Sequence, residues 1–228
     1  MAFERVDLDP ETVVPEPETL FAFFIVLTGE ALLVGLFLAS GGTSSLGTLV
    51  LPFVWVNLGL WALWRAKVPP APTGRKRRAA AIALGYGLVL AYFGGLWSQG
   101  YMFFDTGAYQ PSFGWYVSTA LPPGFGPAFS YESQLVNVTI LPYKLIGYAA
   151  LTYLVYATII DAAGSAVSGV LGLLSCVSCS WPVIATIVTG VAGSSSALAT
   201  AAMQQSLPLS TGVFVVTVGL LYWRPSFR

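Results

Sequence analysis

The amino-acid sequence predicts an all-α fold: a polytopic integral membrane helical bundle of about six transmembrane helices, with both termini in the cytoplasm. Three observations predict it. Charged residues make up 9% of the 228 and hydrophobic ones 56%, whereas a soluble globular domain carries about 25% charged residues. The chain therefore lacks the polar surface that a water-facing fold requires. Its apolar residues gather in runs near the ~20 residues that cross a hydrocarbon core about 30 Å thick. When those runs are threaded through a bilayer, Arg5, Arg65, Lys67, Arg75, Lys76, Arg77, Arg78, Arg224 and Arg228 all fall on one side, which the positive-inside rule assigns to the cytoplasm.

In chain order, residues 1–18 form an acidic cytoplasmic tail. Glu4, Asp7, Asp9, Glu11, Glu16 and Glu18, interrupted by Pro10, Pro15 and Pro17, are unlike the basic and then apolar start of a secretory signal. Residues 19–228 are expected to form a single bundle domain. Its first span covers 19–39 and contains one acid, Glu30. The second covers 46–64 and stops at Trp64 and Arg65. A basic, proline-rich linker over 65–78 leads to a third span at 79–98. Residues 99–134 are read as an extracytoplasmic loop, rich in aromatic residues and in turn formers such as Pro122, Pro123 and Gly124.

A fourth span over 142–160 would begin at Pro142, a favourable first-turn residue. From 162 to 223 no residue is charged. That stretch holds the fifth and sixth spans, near 166–191 and 208–223. Ser194, Ser195, Ser196, Gln204 and Gln205 supply polarity without charge. A broken or re-entrant helix near 176–204 is compatible with this composition, because irregular backbone is tolerated where protein or water covers it.

The absence of histidine excludes His-ligated haem and zinc, as well as Ser-His or Cys-His dyads, from within this chain. No complete catalytic set is present. The sharpest chemical feature is Cys176-Val-Ser-Cys179-Ser-Trp-Pro182. On a helix, Cys176 and Cys179 share a face, where two sulfurs can approach each other or a single soft ion such as Cu(I). Pro182 disfavours helical geometry just beyond them. A half-helix starting at Ser180 would turn its positive end toward Cys179 and favour thiolate, whereas burial in hydrocarbon favours the thiol. Thiol–disulfide exchange or Cu(I) binding stands against plain packing of two small apolar-tolerant residues.

Two further intramembrane groups stand out. Glu30 lies near the centre of the first span, where an acid costs roughly 2.5–3.5 kcal/mol on insertion scales. It is a candidate for cation binding, proton relay or pairing with Lys144, or for holding the bundle through a hydrogen bond. If the fourth span begins at Leu135, Lys144 is deep enough to meet Glu30. If it begins at Pro142, Lys144 snorkels to the outer interface. The aromatic loop suits a partner subunit or lipid-like ligand, or else serves as an interfacial belt. Asn137-Val-Thr139 matches a glycosylation sequon close to the fourth span.

Over Leu171–Pro182, Ser194–Ala202 and Leu220–Pro225, the chain resembles small multi-pass membrane proteins of haloarchaea with no assigned activity. The resemblance implies a place beside haem–copper oxidases and their haem or copper assembly proteins. The Cys-Pro neighbourhood is also loosely similar to thiol-transferring membrane proteins of cytochrome biogenesis, although those use cysteines on two separate helices.

The leading expectation is therefore a plasma-membrane accessory factor handling thiols or Cu(I) during oxidase assembly. A non-catalytic subunit or scaffold is the alternative, and a small permease using Glu30 is third. The expected partners are the lipid bilayer and another membrane protein, met through the bundle or the outer aromatic loop. A basic run lying between two apolar spans points to a topological role, with attraction to anionic lipid headgroups second to it, rather than to nucleic acid.

Overall fold

The computed structural model describes residues 17–100, 113–162 and 206–222. The chain divides into two units, Met1–Thr43 and Ser44–Arg228. The first contains α1 (Pro17–Ala39). The second contains α2 (Leu46–Arg65), α3 (Thr73–Phe93), β1 (Trp97–Gln99), β2 (Gly114–Ser118), β3 (Ala128–Glu132), β4 (Val136–Ile140), α4 (Pro142–Ala162) and α5 (Ser206–Tyr222).

Helix α1 is apolar on every side, and none of its residues is buried. A helix of this kind belongs in the core of a large assembly or in a membrane. It ends in a Schellman motif. Gly41 adopts φ +87°, Gly42 N–H donates to Phe37 O at 3.0 Å, and Gly41 N–H donates to Leu38 O at 3.1 Å. These bonds satisfy carbonyls that the helix end would otherwise leave open.

In the second unit, α2 starts at Ser45, whose hydroxyl accepts from Thr48 N–H at 3.3 Å in the usual N-cap manner. Its small residues let α4 approach closely: Gly59 packs against Ile146 and Ala150. Near the start of α4, Tyr143 contacts Trp55, and further along Tyr153 reaches Ala66 O at 3.2 Å. The two helices therefore run in the same direction. Helix α5 runs alongside them, with Phe214 against Trp55 and Tyr222 against Trp61. Helix α3 runs the opposite way, with Gly87 against Thr152 and Gly94 beneath Tyr148. Arg65, Lys67 and Arg75 to Arg78 thus gather at one end of this bundle, and the strands at the other.

The core of this unit consists of Trp55, Ala62, Ala83, Leu90, Tyr143, Ala150, Leu151, Leu154, Phe214, Val218 and their neighbours. Within a bilayer, lipid tails are as apolar as leucine. Cohesion there comes from close van der Waals packing and interhelical hydrogen bonds rather than from escape from water.

The expectation of an all-α bundle of six spans is overturned. Among the described residues there are five helices together with a four-stranded antiparallel sheet, ordered β1-β4-β3-β2. Three helices are long and apolar enough to cross a membrane: Pro17–Ala39, Leu46–Arg65 and Pro142–Asp161. The apolar run expected to continue as a helix through residue 98 stops at Phe93. Gly95 takes φ +75°, Leu96 N–H donates to Ala91 O at 2.8 Å, and Gly95 N–H donates to Tyr92 O at 3.0 Å. This second Schellman motif turns the chain out of the helix and into β1.

The region read as loop contains β2 and β3, and β4 follows directly. Its segments Gly114–Ser118, Ala128–Glu132 and Val136–Ile140 combine aromatic or β-branched residues with period-two alternation, the pattern of strands. The fifth expected span, 166–191, lies outside the described residues. So does the whole of the broken or re-entrant segment expected near 176–204.

Candidate functional site

The pairing register sorts the sheet into two chemically distinct faces. Trp97 pairs with Val138, Val138 with Tyr131, and Tyr131 with Trp115. The next row on the same face is Ile140, Phe129 and Val117. Directly paired residues of an antiparallel sheet project to one side, so these seven side chains form a continuous apolar and aromatic face. The Trp115 and Tyr131 rings lie 4.8 Å apart.

The opposite face carries Ser98, Asn137 and Glu132 in one row, and Thr139, Ser130 and Tyr116 in another. Ser130 donates to Thr139 Oγ1 at 3.4 Å. Exposure follows strand position: β1 and most of β2, at the edges, are exposed on both faces, and β4 is half-buried on both. On the apolar face Trp115 is 73% exposed, Val117 59% and Phe129 44%, while Tyr131, Val138 and Ile140 are half-buried. A large exposed apolar patch marks an interaction surface.

Contacts from Trp97, Thr139 and the turn before β3 tie this sheet to the rest of the unit. Trp97 Nε1–H donates to Leu88 O at 3.3 Å, and its ring lies 4.9 Å from that of Tyr92. Thr139 N–H donates to Leu96 O at 2.8 Å. The turn before β3 presses Gly124 onto Pro52, which is itself fully buried. Gly124 adopts φ +86°, and its carbonyl accepts from Tyr143 N–H at 3.3 Å. Phe125 meets the Tyr143 ring at 4.8 Å.

Beneath the sheet, Trp55 joins three helices. It stacks on Phe214 at 4.1 Å with the planes 6° apart, and meets Tyr143 and Tyr148 edge-on at 5.8 Å each. Its Nε1–H donates to Thr211 Oγ1 at 2.9 Å, and that hydroxyl donates to Leu207 O at 2.8 Å. The node is fully packed and hydrogen-bonded, as a structural support requires.

Among the described residues, concavities on two sides flank the bundle. One, of about 590 Å³, lies at the basic end and is lined by Trp64, Arg65, Ala66, Lys67, Leu154 and Tyr222. The other, of about 560 Å³, is an apolar groove between α3 and α4.

Of the intramembrane candidates from the sequence, Glu30 and Lys144 lie among the described residues. Lys144 Nζ donates to Gly94 O at 2.7 Å, placing a cation at the carboxyl end of α3, where the helix dipole favours it. Glu30 lies near the middle of α1, in the other unit. Cys176, Cys179 and Pro182 lie outside the described residues, as does most of the acidic tail. Asn137 of the sequon sits within β4, and its Oδ1 accepts from Ser133 N–H at 3.2 Å. Among the described residues no group of three or more His, Cys, Asp or Glu is placed to hold a metal ion. Trp55, Thr211 and Trp97 were not singled out. A tryptophan beside small residues in an apolar run was the available signal for the first.

A family model described as a family of unknown function, DUF7546, matches residues 3–228. The chain belongs to the DUF7546 family. The match spans the helices and the sheet alike, so both are parts of one family unit. No curated protein and no solved structure matches the chain.

Proposed function

We propose that this DUF7546 protein is a non-catalytic subunit of a membrane complex that docks a partner membrane protein through the apolar face of its sheet. The observation that carries this reading is the exposure of Trp115, Val117 and Phe129 together on one apolar face of the sheet. Seven apolar or aromatic side chains share that face. Interface cores are enriched in Trp, Tyr and Phe and depleted in charge, and a few buried aromatic anchors supply most of the binding energy. Trp115, Phe129 and Tyr131 are the anchors expected here. The fitting partner segment is an uncharged, apolar extracytoplasmic stretch adjoining one of the partner's own membrane helices.

The same reading makes the protein a multi-pass protein of the cell membrane. Arg65, Lys67 and Arg75 to Arg78 gather at the end opposite the sheet. The positive-inside rule then assigns that end to the cytoplasm and the sheet to the outer face. The test is purification in mild detergent, comparing the unaltered protein with a Trp115→Ser, Val117→Ser, Phe129→Ser variant. A stoichiometric partner should accompany the former and be lost from the latter. Equal recovery of that partner with both would refute the proposal.

A second reading rests on the Cys176-x-x-Cys179 spacing and on Pro182, and it assigns thiol exchange or Cu(I) handling during oxidase maturation. A Cys176→Ser, Cys179→Ser variant would then insert normally yet fail to support oxidase assembly. A fully active oxidase in that background would eliminate this reading.

A further inference from the structure

We infer that the groove between α3 and α4 is a site for one anionic lipid of the leaflet at the basic end, with its hydrocarbon chain in the groove and its headgroup on Lys76 and Arg77. This inference requires only that the bundle lie in a bilayer, and it is independent of what docks on the sheet.

The groove, about 560 Å³, is lined from α3 by Ala80, Ala83, Leu84, Gly87, Leu88 and Ala91, and from α4 by residues that include Leu145, Ala149, Thr152 and Tyr156. Small residues on α3 keep its floor low. A methyl added at Gly87 would lie 2.6 Å from Thr152 Oγ1, so the helices are already in contact beneath the floor. The groove ends toward the sheet at Leu96, which is buried. Its mouth is the Ala80 end, toward the basic end of the bundle.

Its length matches a lipid chain. From Ala80 to Ala91 the helix rises about 16 Å at 1.5 Å per residue. That is close to half of a hydrocarbon core about 30 Å thick, the depth of one leaflet.

Charge identifies the headgroup. Lys76 and Arg77 precede Ala80 by four and three residues, so helical periodicity puts them on the groove side of α3, one turn above its mouth. Residues 73–78 are all exposed. Four cations in the first turns of α3 oppose its dipole, whose amino-terminal end favours anions. The helix gains no stability from them, and Pro72 provides no side-chain cap. An anionic phosphate at the mouth resolves both features: it meets the cations and the positive end of the dipole together. The apolar stretch Ala79 to Phe93 rises only about 22 Å, which brings these cations down to headgroup depth.

The test uses the full chain reconstituted in vesicles of equal phosphatidylglycerol and phosphatidylcholine, extracted in mild detergent and examined by native mass spectrometry. One phosphatidylglycerol per protein should be retained, preferred over phosphatidylcholine by about tenfold or more, given the strength with which each interfacial cation attracts anionic lipid. Lys76→Gln with Arg77→Gln should abolish that preference, since ~1 kcal/mol per cation makes the pair worth roughly 30-fold.

Ala149→Phe, at an exposed position on the groove wall, should abolish retention of both lipids while tryptophan fluorescence stays unchanged. Ala80→Phe should do the same from the mouth. Equal retention of the two lipids by the unaltered protein would overturn the inference. So would undiminished retention in both filled variants, or displacement of the lipid by excess inorganic phosphate.

Discussion

Trp97 Nε1–H donates to Leu88 O across the junction between β1 and α3, at 3.3 Å. Through this bond the first side chain of the apolar sheet face is laid along the outer surface of a helix. Leu84, Leu88 and Phe93 on that helix are exposed.

Replacing Trp97 with alanine removes both this bond and the contact with Tyr92. Amide exchange over β1 and the β4 residues that pair with it should accelerate by about tenfold, the effect of losing one hydrogen bond of roughly 1 kcal/mol plus local packing. Exchange in α2 and α5 should not change. Hydrogen-exchange mass spectrometry separates the two regions.

Trp55→Phe retains a ring over Phe214 but leaves Thr211 without its indole donor. Interhelical hydrogen bonds in membranes contribute on average about 0.6 kcal/mol and at most about 1.7, so a small drop in thermal stability is expected. Trp55→Ala should lower it much further, because three ring contacts are lost as well. Thermal unfolding in detergent ranks the two.

Lys144 closes the end of α3 from a different helix. Lys144→Met should destabilise the protein by about 0.5–2 kcal/mol through loss of a charged donor at a helix carboxyl end. Lys144→Gln, which keeps a donor without the charge, should fall between the two. Equal stability of all three proteins would assign the position to simple packing.

Gly95 adopts φ +75° with open space where a side chain would project, so any effect of substitution there reports backbone conformation alone. Gly95→Ala should cost about 1 kcal/mol, and Gly95→Asn less, since Asn tolerates the left-handed region. The measurement is again a thermal midpoint.

How far the fold could be read from sequence depended on the element. The apolar runs 19–39, 46–64 and 142–160 are long and uniform, and helices Pro17–Ala39, Leu46–Arg65 and Pro142–Ala162 contain them. The sheet was missed because tryptophan and tyrosine are enriched both in interfacial belts and in strands. The residues around Trp115 and Tyr131 satisfied either description. Val136-Asn-Val-Thr-Ile140 did alternate with period two, but β1, its edge partner, has three residues and no pattern of its own.

The end of α3 was signalled by Gly94-Gly95, a pair that in a long apolar run also suits helix packing. The link between Trp55 and Thr211, 156 residues apart, left no local trace. The seven-residue apolar face became visible only with the register, because a shift of one residue would move each side chain to the other side.

That register provides the most direct test of the docking proposal. A photo-crosslinking residue is placed in turn at Trp115, Tyr116, Val117 and Ser118, in cells making the protein at native levels. If the apolar face receives a partner, positions 115 and 117 will capture one and the same membrane protein, and positions 116 and 118 will not. Capture of lipid alone at 115 and 117, or equal capture at all four positions, would contradict it.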